Sequence, residues 1–179
     1  GSSGACYSAD SCRQAVRRQI AMGADFIKFY ATCSGSQPCA HELAPAVFLL
    51  EELQAVVNTA KTRELKVAAH AHTTAGINLA LQAGVDSIEH ASWLNDTSYQ
   101  LLLESGGYIV PTLMVKDMIR NGLDRRDPAT RMRLERSLVE HPRRVAEAFA
   151  AGVKIASGSD AGVVPHGRNA RELEWYVDI

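Results

Sequence analysis

Lys66-Val67-Ala68-Ala69-His70-Ala71-His72, then Thr73 to Gln82, then Gly84-Val85-Asp86-Ser87-Ile88-Glu89-His90 is the stretch that decides the fold. The first seven residues form a short apolar run of the kind a buried parallel strand needs. Ala75 to Gln82 reads as a helix, with Gly84 where a helix should stop. Asp86 to His90 reads as the next strand. The same alternation continues on both sides. Toward the N-terminus, Asp10 to Met22 is a helix and Asp25 to Ala31 a strand; a polar, Pro-containing loop from Ser34 to Pro45 then leads to a helix from about Leu49 to Arg63. Toward the C-terminus lie a helix at Thr97 to Glu104, a strand at Tyr108 to Leu113, a long helical region from about Pro128 to Ala151 and a strand at Val153 to Ser157. Gly23, Gly84, Gly106 and Gly152 each stand shortly before a strand, so the helix-to-strand turn is made the same way repeatedly. The pattern is α/β, built from about five βα units with parallel strands.

Parallel βα units form either an open doubly wound sheet or a barrel. No strand is followed by Gly-x-Gly-x-x-Gly or by a Gly-x-x-x-x-Gly-Lys phosphate loop, which removes the best sign of the open nucleotide-binding sheet. A (β/α)8 barrel is therefore expected. A full barrel takes about 250 residues, and this chain has 179. The expectation is one partial barrel domain over residues 1–179 with its first strands missing. The start at Gly1 in place of Met and the stop at Ile179 fit a piece of a longer protein. Gly1-Ser2-Ser3-Gly4 is either a tag remnant or a native loop.

Composition narrows the partners. Nineteen Lys+Arg against twenty Asp+Glu give a net charge of −1, with no basic run to neutralise phosphates, so nucleic acid is not expected. The longest apolar stretches, such as Ala44 to Leu50, fall far short of the roughly 20 residues of a membrane helix. Cys6, Cys12, Cys33 and Cys39 lack the two-residue gaps of zinc clips. A core rich in Ala, Leu and Val needs no staples, so free thiols and a cytoplasmic setting are expected; two short disulfide loops would instead point to secretion. A homo-oligomer is left open.

Barrel enzymes carry their catalytic groups at the C-terminal ends of strands. Here those ends hold Lys28, His70 with His72, His90, and Ser157-Gly158-Ser159-Asp160. His70 and His72 are two apart and point to the same side of a strand. Any one strand histidine is readily a satisfied core residue. Three of them with an aspartate are the ordinary ligand set for zinc and related ions. Lys28 in an apolar strand either snorkels its ammonium to the barrel mouth or, if buried, is held neutral and able to form a carbamate with carbon dioxide.

Together, Ala24 to Lys28, Val67 to His72, Gly84 to His90, Val110 to Leu113, and Gly152 to Gly162 resemble the metal-dependent amidohydrolase superfamily. Within it they are similar to the branch of prolidase-like Xaa-Pro dipeptidases and imidazolonepropionase-related enzymes, as is His166 to Glu174. The resemblance implies a binuclear zinc-type centre with Lys28 as carboxylated bridge, His70 and His90 as ligands of one metal and Asp160 as ligand of the other. It also implies an earlier strand with a His-x-His pair, which this sequence lacks before Lys28, so the chain looks like roughly the second half of such an enzyme. The implied reaction is hydrolysis of amide-type C–N bonds in a small molecule or peptide (dipeptide, cyclic amide, carbamate or N-acyl amino acid) by a metal-activated water. Asp160 would shuttle the proton. His72 would either donate to the substrate carbonyl or orient its neighbours, while Tyr30 and His166 are candidate substrate contacts. His141 is expected to face solvent, and Arg131, Arg133 and Arg136 to form a solvated face from which one could recognise a substrate carboxylate. The alternative is a non-catalytic fragment or pseudo-enzyme. A phosphate-binding barrel isomerase is disfavoured because its glycine-rich anion cradle is absent.

Overall fold

The computed structural model describes residues 4–33 and 41–179; Cys39 and most of the expected Ser34 to Pro45 loop lie outside them. The element order is α1 (Ala9–Ala21), β1 (Phe26–Tyr30), α2 (Leu50–Lys61), β2 (Lys66–Ala71), α3 (Thr74–Ala83), β3 (Ser87–His90), α4 (Asp96–Ser105), β4 (Tyr108–Val110), α5 (Val115–Gly122), a 3-10 turn (Leu123–Arg125), α6 (Pro128–Ala150), β5 (Lys154–Ile155) and α7 (Arg171–Asp178). The strands form one sheet in the order β1-β2-β3-β4-β5, and every pairing is parallel. Among the described residues β1 and β5 are not paired with each other, so the sheet is an open arc of an incomplete barrel, as expected.

The side-chain alternation of the strands sorts the two faces. Ile27, Val67, Ala69, Ile88 and Ile109 are buried in one core with Leu53 and Val57 of α2, Ile77 and Leu81 of α3, Leu102 of α4 and Val145 of α6. Each large aliphatic side chain so buried contributes about 1.5–3 kcal/mol. Lys28, Tyr30 and His70 take the opposite, inner face. The helices start on side-chain caps: the Thr73 hydroxyl accepts from the Gly76 amide at 3.1 Å, Asn95 from Ser98 at 2.9 Å, and Asp127 from Thr130 at 3.0 Å, each contributing about 1 kcal/mol. Gly84 ends α3 in the left-handed conformation, φ 91°, which a Cβ would disfavour. Gly76 serves a different purpose, because a Cβ there would lie 2.2 Å from the Thr32 methyl. Without one, Thr32 can approach α3 and accept the His72 amide at 3.0 Å.

Three expectations need correction. Cys6 and Cys12 form a disulfide, with Cα atoms 4.9 Å apart, and Cys33 is also disulfide-bonded. The cap by Ser8 at the start of α1 folds residues 6–8 back over Cys12. The argument from free thiols to a reducing compartment therefore falls away. The strand expected over Tyr108 to Leu113 ends at Val110, since Pro111 has no N–H for the ladder. Arg136 is not simply solvated: its guanidinium lies 5.0 Å from the Trp93 ring centroid and pairs with Glu42, which Arg144 also reaches at 2.8 Å. Among the described residues no helix is long and apolar enough to cross a membrane.

Candidate metal and catalytic site

At the C-terminal ends of the strands three imidazoles meet. β2 delivers His70 from its inner face and His72 one residue beyond its end. His90 reaches them by a different route. It pairs in register with Ala71, whose side chain is in the helix-facing core, so plain alternation would turn His90 toward the helices. The backbone intervenes: His90 and Ala91 adopt φ 71° and 52°, and the His90 ring comes to lie 4.5 Å from His70 and 4.6 Å from His72, stacked on the latter. Left-handed φ costs a non-glycine residue about 1–2 kcal/mol. Among the described residues five non-glycine positions carry it, and four of them (His90, Ala91, Thr112 and Asp160) lie at these strand ends. Concentrated backbone strain of this kind marks a site held in place by its surroundings.

Hydroxyls and a carbonyl fix the rings. His72 Nδ1 lies 2.8 Å from Ser92 Oγ, His90 Nδ1 lies 2.8 Å from Thr112 Oγ1, and His70 Nε2 lies 3.2 Å from the Cys33 carbonyl. Each ring keeps its other nitrogen for a ligand. One nitrogen from each of His70, His72 and His90 falls within 4.8 Å of the others. Burial disfavours the imidazolium in all three. It lowers His70, assisted by the Lys28 charge; it lowers His72 well below the ordinary range, assisted by His90 and His70; and it pushes His90 down to about 3. Neutral imidazoles held by second partners are the form in which histidine binds a divalent ion, so the donor set fits such an ion.

A cavity of about 960 Å³ opens over this cluster, and Lys28, Tyr30, His70, His72, His90 and Asp160 all line it. Asp160 is close enough for its charge to act on His70. Lys28 shares the cavity but is exposed, the first of its two readings, because among the described residues β1 is an edge strand with no neighbour on its outer side. Tyr30 lies with its ring 4.4 Å from that of His70. His166 is exposed and is not among the cavity-lining residues. His141, expected in solvent, is buried and lines the cavity together with Arg133, Ser137 and Lys116. Spacing held the clue, since Leu134, His141, Val145 and Ala148, all buried, follow one helical stripe. Ser92 carried no sequence signal and Thr112 only its place in the Val110 to Leu113 motif, both being ordinary residue types placed by the turns that follow β3 and β4.

Comparison with known proteins gives a consistent result. A family model described as the amidohydrolase family matches residues 3–177. Ochratoxinase of Aspergillus niger is 34% identical over 173 residues, covering 94% of this chain and 35% of its own length. The crystal structure of a Xaa-Pro dipeptidase with bound methionine in the active site superposes with a TM-score of 0.85 at 32% identity, over 97% of this chain and 43% of that one. The A. niger ochratoxinase structure gives 0.84 at 30% identity, over 97% and 39%. The chain thus spans less than half the length of the relatives it matches.

Proposed function

The chain belongs to the amidohydrolase family, and from that membership we propose that the protein it represents hydrolyses amide-type C–N bonds of a small molecule or peptide, a dipeptide or an N-acyl amino acid being the best-matched classes. The observation that carries this reading is the convergence of His70, His72, His90, Lys28 and Asp160 on one cavity at the strand ends. The dipeptidase and ochratoxinase relatives support amide hydrolysis as the chemistry. His70 and His90 would hold a divalent zinc-type ion, with Lys28, which a strand beside β1 would cover in the longer enzyme, as a carbamate bridge to a second ion on Asp160. When bound, such ions lower the pKa of water toward neutrality and polarise a carbonyl.

The chain's own residues do the rest. Asp160 accepts the proton of the attacking water at its carboxylate and returns it to the leaving nitrogen, base first and acid second. His72, its Nδ1 occupied by Ser92, turns Nε2 to the cavity and donates to the carbonyl oxygen as charge develops there. Thr112 and Ser92 fix the ring planes, and Tyr30 walls the substrate side.

Metal titration and turnover of the 179-residue chain test this reading. At most about one zinc-type ion should bind, with amide hydrolysis poor or absent, because the family pattern places further ligands on a strand preceding Lys28. His90→Ala should weaken that ion by more than the 10–100-fold typical of losing an outer partner. His72→Ala should leave it nearly unchanged, and a loss as large as that of His90→Ala would make His72 a ligand instead of a donor. In the longer enzyme, Lys28→Ala or Asp160→Asn should remove hydrolysis. Two tightly held ions with full dipeptidase turnover in this chain alone would refute the proposed division of the site.

A further inference from the structure

Asn95-Asp96-Thr97, on the turn that leads from β3 into α4, has no part in the chemistry described above. Of the five asparagines, Asn58, Asn78, Asn95, Asn121 and Asn169, only Asn95 has a hydroxyl residue two positions on with a residue other than proline between. Asn-x-Ser/Thr is the acceptor pattern for an N-linked glycan. Such a triplet alone is a weak sign, because transfer needs a carboxamide nitrogen that faces water and a compartment that supplies the sugar donor. The structure bears on both conditions.

Asn95 caps α4 with its oxygen only. Oδ1 accepts from the Ser98 amide at 2.9 Å and from Asn78 Nδ2 at 3.3 Å. Donors on that side fix which way the carboxamide is turned, oxygen toward the protein and nitrogen away. Nδ2 donates to nothing among the described residues, and it is not one of the buried side-chain atoms left without a partner, so it faces water. Asp96 and Thr97 are both exposed. A sugar on Nδ2 leaves the Oδ1 lone pairs in place, so the cap and a glycan are compatible. The second condition is met by the cysteines. Cys6 and Cys12 are bonded to each other and Cys33 is also disulfide-bonded, and no free cysteine occurs among the described residues. Bonds of this kind persist in oxidising compartments such as the lumen that receives secretory proteins, which is also where N-linked glycans are transferred.

We propose that Asn95 is the acceptor of an N-linked oligosaccharide, attached as the chain passes through an oxidising secretory compartment. In the transfer, Asn95 Nδ2 attacks the anomeric carbon of a lipid-pyrophosphate-linked oligosaccharide. A C–N bond forms there, the C–O bond to the pyrophosphate breaks, the lipid pyrophosphate leaves with the electron pair, and Nδ2 gives up a proton. Nothing is oxidised or reduced. The glycan sits at the start of α4 and keeps that surface in solvent, and its attachment does not depend on the hydrolase reading.

The test is to produce the 179-residue chain in yeast behind a cleavable secretion signal and to treat it with an amidase specific for N-linked glycans. The chain should run as a larger species that collapses to the unmodified size on treatment, with an aspartate at position 95 in the digested peptide. Asn95→Asp keeps an oxygen for the Ser98 amide, since Asp caps a helix as well as Asn does, and Thr97→Ala leaves the cap untouched. Both variants should lose the larger species with little change in melting temperature, whereas Thr97→Ser should retain it. A chain held inside the cell is digested and read in the same way, because transfer precedes export. An Asn95 peptide without sugar would overturn the proposal, as would a larger species that survives both Asn95→Asp and Thr97→Ala. Cys6 and Cys12 recovered as free thiols from the same material would remove the oxidising compartment on which it rests.

Discussion

Taken from pH 7.5 to pH 5 without metal, the chain should become markedly less stable. His72, His90 and His141 are all held neutral by burial in the folded state, whereas in the unfolded chain each titrates at about 6.5. Below that pH the unfolded state binds more protons than the folded one, so stability falls as pH falls. The window opens at about 6.5 and, for His90, extends down to its folded value of about 3. A histidine that stays neutral contributes a limiting slope of about 1.4 kcal/mol per pH unit, so His90 alone removes about 2 kcal/mol between pH 7.5 and 5, and His72 and His141 act in the same direction. Glu172 acts in the opposite direction, since burial raises its carboxyl. Even the His90 share is a substantial part of the stability of an ordinary domain, about 5–15 kcal/mol. Urea unfolding at a series of pH values measures it. His141→Leu, which removes one of the buried rings, should reduce the slope by about one proton. A midpoint unchanged from pH 7.5 to 5 would show that these histidines are solvated and the site is looser than described.

The fold was legible because every strand but the last is bounded by an apolar run on one side and a helix signal on the other. The site was legible only in part. Alternation places His70 and His72 on one face, but by the same rule His90 would point away, and only its left-handed φ brings it back; no glycine or turn motif announces that. Its apolar neighbours leave Lys28 either buried or snorkelling, because burial depends on which strand lies beside it, and a five-stranded arc leaves it at an edge. The helices α5 and α7 escaped notice for a related reason. Neither has a side-chain N-cap of its own, so the local signals that mark helix starts were missing. The start of α5 is held from a distance instead.

That distant hold is Glu172, and replacing it should be the most damaging single change in the chain. Its side chain is fully buried in α7, and its two carboxylate oxygens accept the amides of Leu113 and Met114, each at 2.8 Å. These amides open α5, where no neighbouring side chain can cap them. Burial pushes the Glu172 carboxyl up and the two amides oppose that push, as expected of an acceptor-only group facing two donors. Glu172→Ala would leave both amides buried without an acceptor, at about 1–3 kcal/mol each and about 2–6 kcal/mol in total. Glu172→Gln should cost about half as much, since the amide oxygen can take one N–H while its NH2 confronts the other. The consequence reaches the metal cluster because Leu113 follows Thr112, whose hydroxyl orients His90. Loosening this turn frees the His90 ring, so Glu172→Gln should weaken zinc binding by about 10–100-fold, the range for losing an orienting partner. Chemical denaturation and metal titration on the same variant separate the two effects. Full stability in Glu172→Ala would mean that the turn after β4 is held by other contacts, and lost stability with unchanged zinc affinity would mean that His90 does not depend on it.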